Sequence, residues 1–260
     1  MSLNLKVKMS NYPNTKIHNT LPKILRHRSI SMPDTVALRD KDLGIWNEIT
    51  WKEYNNNVSY LALALSKRGF KTGDVIGLIG DNKPSWLYFE LAAQAVGGMS
   101  LGIYRDTLDE EVGYLINAAK VSFVYAEDQE QVDKILAIKR PKNDQITMFY
   151  EDSRGLKELN DPHIVDMLEL MNEGQAIAKK SPNKYNQMID KVSAEQEAIL
   201  CTTSGTTSNP KLAMLPGGKF VEHVLRYLNV DPKTVTDEYV SVLPFPWIME
   251  QIYGVGFNII

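Results

Sequence analysis

The segment Thr202-Thr-Ser-Gly-Thr-Thr-Ser-Asn-Pro-Lys211 concentrates hydroxyl side chains, one glycine and one lysine within ten positions, directly after the apolar run Ala198-Ile-Leu-Cys201. A loop of this kind aims backbone N–H groups and hydroxyls at a single anion, while the lysine supplies the charge that hydroxyls lack. Polyphosphate is the ligand that such a donor set suits, and a Ser/Thr-rich surface turn is the alternative. The segment is not a Walker A loop, because the Gly218-Lys219 pair is followed by Phe220 and lacks the earlier glycine. Neither a GxGxxG dinucleotide fingerprint nor a GxSxG nucleophile elbow occurs in the chain. Other reactive side chains carry less. Cys201 has no histidine near it in sequence and reads as a buried strand cysteine rather than a nucleophile. His18, His27, His163 and His223 are scattered, without metal-ligand spacing. The sequon Asn57-Val-Ser59 falls on a predicted helix, and the charges from Glu169 to Lys180 read as a solvated helix face.

The chain that must position this loop has 260 residues, 43% hydrophobic and 23% charged, a composition that folds around a substantial core. Lysine and arginine total 29 against 32 acids, a net charge of -3, and no basic run marks a nucleic-acid surface. A single cysteine excludes an intrachain disulfide and points to a reducing, cytoplasmic setting. No apolar stretch reaches the roughly 18 residues that a membrane span requires, so membrane contact, where it occurs, is peripheral. Met1 to Ser10 lacks the apolar centre of a secretory signal.

Periodicity predicts a short helix over Thr20 to Arg28 stopped by Pro33, then a hairpin of Val36–Leu38 and Ile45–Ile49. Thr50 with Glu53 predicts a capping box for a helix from Trp51 to about Arg68. Strands at Val75–Ile79, Met99–Gly102, Ser122–Tyr125 and Ile146–Phe149 alternate with helices at Pro84–Val96, Asp109–Ala118 and Gln129–Ile138, the pattern of right-handed βαβ crossovers on a parallel sheet. Helices over Pro162–Lys179 and Pro182–Val192 are expected to cover that sheet. A second sheet region is expected to start at Glu197–Cys201, with strands at Leu212–Leu215 and Tyr239–Leu243, a helix over Gly217–Leu228 and a final apolar helix from about Trp247. The expected division is a poorly ordered leader over 1–19, a first α/β subdomain with a helical connection over 20–194, and the start of a second α/β subdomain over 195–260, truncated at Ile260.

Ile199-Leu-Cys-Thr-Thr-Ser-Gly-Thr-Thr-Ser-Asn-Pro-Lys211 closely resembles the phosphate-binding signature of the adenylate-forming, AMP-binding superfamily, whose pattern runs Tyr-Thr-Ser-Gly-Thr-Thr-Gly-x-Pro-Lys. Pro33-Asp34, Thr50-Trp51-Lys-Glu-Tyr54, Lys71-x-Gly73-Asp74-Val75, Asn82-x-x-x-Trp86, Ala92-x-x-Ala95-x-Gly97 and Leu243-Pro-Phe-Pro246 with Glu250 extend the likeness over roughly Thr20 to Ile260. The chain looks most similar to long-chain acyl-CoA synthetases of the bacterial type. That resemblance implies the N-terminal part of the AMP-binding enzyme fold, with mainly parallel twisted sheets flanked by helices and an early β-hairpin. It also implies ATP, Mg²⁺ and coenzyme A as reactants and cofactors, and a fatty acid or other carboxylic acid as substrate, converted through acyl-AMP to a thioester. By resemblance Thr203 approaches phosphate or magnesium, Ser204, Gly205, Thr206 and Thr207 wrap the β- and γ-phosphates, and Lys211 pairs with them; Trp247 reads either as an aromatic wall of the acyl channel or as a core tryptophan beneath the sheet.

Departures from the pattern accompany the matches. Ser208 stands where the family has glycine, and Trp247 where many relatives have histidine. The downstream Tyr-Gly-x-Thr-Glu motif, the ribose-binding aspartate and the C-terminal adenylation lysine have no counterpart, and Tyr253-Gly254 is followed by Val255-Gly256 instead. The expectation is therefore an acyl-CoA synthetase present as an N-terminal piece that is inactive alone and partnered by a missing C-terminal portion. The alternatives are a non-catalytic nucleotide- or pyrophosphate-binding protein and an enzyme that adenylates aryl or amino acids.

Overall fold

A computed structural model describes residues 12–139, 145–159, 161–203 and 210–260. Helix α1 (Leu21–Ser31) leads into the antiparallel hairpin β1 (Val36–Asp42) and β2 (Ile45–Thr50). Helix α2 (Trp51–Lys67) starts where the sequence signals it: Thr50 Oγ1 accepts from the Glu53 N–H at 3.2 Å, and Glu53 Oε2 accepts from the Thr50 N–H at 2.8 Å. This reciprocal cap satisfies two donors that the first helical turn leaves unpaired. Strand β3 (Val75–Ile79), helix α3 (Pro84–Val96), strand β4 (Met99–Ile103), helix α4 (Asp109–Ala118), strand β5 (Phe123–Ala126), helix α5 (Gln129–Leu136) and strand β6 (Thr147–Tyr150) follow in the predicted alternation. After them come β7 (Ile164–Asp166), α6 (Met167–Lys180), α7 (Lys184–Asp190), the pair β8 (Glu197–Thr203) and β9 (Lys211–Pro216), and α8 (Gly217–Val230). The described chain ends in α9 (Ile248–Glu250), a π-helical turn over Gln251–Gly256, and α10 (Phe257–Ile259).

Seven strands form one sheet in the order β7-β6-β5-β3-β4-β8-β9, parallel except for β9. All five residues of β3 are buried, as a strand covered on both faces requires. On one face an apolar cluster joins α1, α2, α3, α7 and α8 to the sheet; on the other, Val112, Leu115 and Ile116 of α4 and Val132 and Ile135 of α5 cover it.

Three expectations are corrected. The second sheet expected at Glu197 is not separate, because β8 lies parallel beside β4 and pairs Ser100 with Ile199 and Leu101 with Leu200. Local patterning marks a strand but carries no record of its neighbour. The helix expected from Pro162 begins at Met167 instead, since Ile164–Asp166 pairs with Met148–Tyr150, and a three-residue strand is too short to show a period. Tyr239–Leu243 is extended coil; Val240 and Val242 point outward, 76% exposed, and the segment has no ladder partner among the described residues. Of the expected leader, residues 12–19 lie against the fold, where the Tyr12 hydroxyl donates to the Lys233 carbonyl at 3.2 Å and His18 stacks on His27.

Helices α2 and α6 cross at Gly174. A Cβ there would collide with the Tyr60 carbonyl and lie 2.7 Å from Tyr60 Cα, so only glycine allows the backbones to approach this closely. Gly174→Ala is expected to lower the unfolding free energy by about 1–3 kcal/mol, because the overlap outweighs the gain in helix propensity. Gly113→Ala in α4 would meet nothing closer than 3.9 Å and is the control, expected to be neutral or stabilising in the same urea titration.

Candidate functional site

Strands β8 and β9 bring Thr203 and Lys211 into register across an antiparallel pair, with Thr202 opposite Leu212. Thr203 Oγ1 donates to the Lys211 carbonyl at 3.4 Å. The Tyr114 hydroxyl of α4 donates to the Pro210 carbonyl at 3.2 Å and ties the start of β9 to the body of the protein. Ser204, Gly205, Thr206 and Thr207 lie outside the described residues. The Lys211 ammonium is exposed and forms no ion pair among the described residues. Arg105, by contrast, is committed to Asp81 and to Asp128, and Lys83 to Glu127 at 2.9 Å.

Beside Thr203 opens a cavity of about 350 Å³, lined by Tyr104, Thr202, Thr203, Pro246, Trp247 and Ile248. It lies at the carboxyl ends of β4 and β8, the edge at which open α/β sheets bind ligands. Trp247 is 46% exposed and stands in the cavity wall. Its ring and Pro246 give the lining apolar surface, and Thr202 and Thr203 add hydroxyl-bearing residues to it. Sequence reasoning did not single out Tyr104, although its place directly after a buried strand is the signal that could have found it.

Beneath the cavity wall lies a buried polar cluster that sequence reasoning also missed. Glu90 of α3 is 1% exposed; its Oε1 accepts from Ser100 Oγ at 3.2 Å and from Gln94 Nε2 at 3.4 Å, and its Oε2 from Gln251 Nε2 at 3.3 Å. Burial pushes this carboxyl up to about 7 against the opposing pull of those hydrogen bonds. Cys201 faces the same space, and burial, with the Glu90 charge second, raises its thiol to about 11. A thiol held neutral in this way is a packing group and not a nucleophile.

The donor set suits a polyanion: two threonines at the cavity, and a lysine in register with Thr203 whose ammonium forms no ion pair among the described residues. Among the described residues no group of three or more His, Cys, Asp or Glu gathers to hold a metal ion.

The family model described as AMP-binding enzyme matches residues 25–259, and the chain belongs to that family. Among curated relatives, the long-chain-fatty-acid–CoA ligase ACSBG2 of Rattus norvegicus is 27% identical over 247 residues, covering 92% of this chain and 36% of the relative. The long-chain-fatty-acid–CoA ligase ACSBG1 of the same organism is 28% identical over 229 residues, covering 86% and 31%. The chain thus spans about a third of the length of the curated relatives it matches. Among solved structures, the luciferase-like enzyme from the mealworm Zophobas morio superposes with a TM-score of 0.73 at 15% identity, over 95% of this chain and 53% of that one. VinN with L-aspartate gives 0.72 at 16% identity, over 94% and 56%. These likenesses establish the fold as that of the N-terminal portions of adenylate-forming enzymes, with a mainly parallel sheet flanked by helices and an antiparallel two-stranded hairpin.

Proposed function

We propose that these residues form the pyrophosphate end of the nucleotide site of an ATP-dependent long-chain acyl-CoA synthetase. The observation that carries this reading is the β8–β9 pair, which sets Thr203 opposite Lys211 at the sheet edge, next to a cavity lined by both threonines and by the apolar side chains of Pro246 and Trp247. In the reaction, a carboxylate oxygen bonds to the α-phosphorus of ATP as the bond to pyrophosphate breaks. The thiol of coenzyme A then attacks the acyl carbon and AMP leaves. Negative charge grows on the departing pyrophosphate, and Lys211 with the threonine hydroxyls is placed to stabilise it where it develops. Magnesium, when bound, would spread that charge further, with Thr203 as the protein oxygen nearest to it in role. The apolar wall of Pro246 and Trp247 supports a substrate with a hydrocarbon tail over a charged amino acid. A cytoplasmic setting belongs to the same proposal and is supported by the free, buried Cys201. No described helix is long and apolar enough to cross a membrane.

Calorimetric titration of inorganic tripolyphosphate and of ATP into the chain tests the reading. A charge-assisted hydrogen bond contributes about 1.5–3 kcal/mol, so Lys211→Ala is expected to weaken both ligands at least tenfold while leaving the melting temperature unchanged. Equal binding by the wild type and the variant would remove the loop from the site.

A further inference from the structure

From Asp231 to Trp247 the described chain runs without helix or strand, yet its last two residues, Pro246 and Trp247, line the cavity beside Thr203. No backbone ladder holds this wall. Side-chain amides hold it instead. Asn82, in the loop after β3, donates from Nδ2 to Ser241 Oγ and to the Leu243 carbonyl, both at 2.7 Å, and accepts at Oδ1 from the Phe245 N–H at 3.1 Å. The Phe245 carbonyl accepts from Gln251 Nε2 at 2.9 Å, so both polar backbone groups of one residue are taken by carboxamides from different elements. The Phe245 ring is buried beside Trp86, with centroids 5.8 Å apart. Behind Pro246, a Cβ on Gly102 of β4 would lie 2.8 Å from Pro246 Cα, so the strand surface is the seat against which the wall rests.

We propose that Asn82 is a positioning residue whose carboxamide fixes the Phe245–Trp247 wall and thereby sets which apolar tail lengths the cavity accepts. The proposal rests on the reading above that this cavity takes a carboxylate with an apolar tail. The three hydrogen bonds of Asn82 all go to the segment that ends in the wall. A carboxamide suits this task because it donates and accepts at once, and neither alanine nor a carboxylate can reproduce both ends. The wall carries Trp247, and a shift of about an ångström in a pocket side is enough to change which ligand fits.

The test has two readouts on the 260-residue chain. In hydrogen exchange, Asn82→Ala is expected to speed exchange of the Phe245 amide at least tenfold, with the β3 amides Val75–Ile79 unchanged. Unchanged Phe245 exchange would overturn the positioning role. Asn82→Asp, which keeps an acceptor for the Phe245 N–H but loses the donations to Ser241 and Leu243, is expected to restore most of that protection. In binding, the wild-type preference for hexadecanoate over octanoate is expected to shrink at least fivefold in Asn82→Ala, and an unaltered preference would overturn the selectivity role even if exchange is faster. Should Asn82→Ala fail to fold, Gly102→Ala displaces the same wall from the sheet side with Asn82 intact. The same loss of preference is expected there, and its absence counts against the proposal. If the wild type binds neither acid, the carboxylate reading fails and the tail-length role falls with it, while the exchange result still decides whether Asn82 positions the wall.

Discussion

A polypeptide of these 260 residues, supplied with hexadecanoate, ATP, Mg²⁺ and coenzyme A, is expected to form no acyl-AMP or acyl-CoA and to release pyrophosphate no faster than buffer. Adenylation requires the α-phosphorus, the carboxylate and the balancing cation to be held within attacking distance, and such alignment accounts for about 7–11 kcal/mol of barrier lowering. In the proposed site, Thr202, Thr203 and Lys211 at the sheet edge would serve the pyrophosphate end of the nucleotide. The threonine–glutamate motif, the ribose-binding aspartate and the adenylation lysine that the family resemblance calls for have no counterpart in the sequence. Weak phosphate binding without turnover is the physical consequence, because stabilising a leaving group does little while attacker and target are not aligned. Mass spectrometry of the reaction mixture together with a coupled pyrophosphate assay checks this. Acyl-AMP accumulation by the chain alone would show that the residues in hand already align the reacting atoms.

The second large effect is on stability and pH. Burial pushes the Glu90 carboxyl up from 4.5 to about 7 in the folded protein. Between those values the unfolded chain has released this proton and the folded chain has kept it, so stability falls as pH rises through the window and levels off above it. The span corresponds to roughly 3 kcal/mol. Glu90→Gln retains the shape and cannot ionise. It is expected to match the wild type near pH 4 and to exceed it at pH 8 by up to roughly that amount. Cys201, which faces Glu90, adds no slope in this range because its thiol is raised to about 11 and stays protonated. Chemical denaturation of both proteins at intervals from pH 4 to 8 measures the difference, and parallel profiles would show that Glu90 ionises freely in the fold. The prediction has a bearing on the site, since Gln251 bonds both the Glu90 carboxyl and the Phe245 carbonyl behind the cavity wall.

Much of this architecture follows from local chemistry. The capping box at Thr50 and Glu53, the helix with Pro84 in its first turn and the strand Val75–Ile79 each depend on residues within a few positions of one another, and each occurs where its pattern places it. The composition of the 202–211 segment is likewise read directly from the sequence, and of it the structure describes Thr202 and Thr203 at the end of β8, Pro210, and Lys211 at the start of β9. What the sequence does not reveal is which parts come to lie together. That β8 enters the first sheet beside β4 is a pairing of residues about a hundred positions apart, Ser100 with Ile199. Tyr239–Leu243 has the alternation of a strand but takes its shape from Asn82 and Glu250, whose carboxylate accepts from the Tyr239 and Ser241 hydroxyls. Glu90 looks like one more helix residue until burial places Ser100, Gln251 and Cys201 around it. The amino-acid sequence by itself determined most of the helices and strands, their caps and the hydroxyl-rich composition of the 202–211 segment, because these are set by short-range periodicity and by residue type. The sheet order, the cavity, the shifted carboxyl and the amide-held wall were decided only by the tertiary structure, because each depends on contacts between distant residues that leave no periodic trace along the chain.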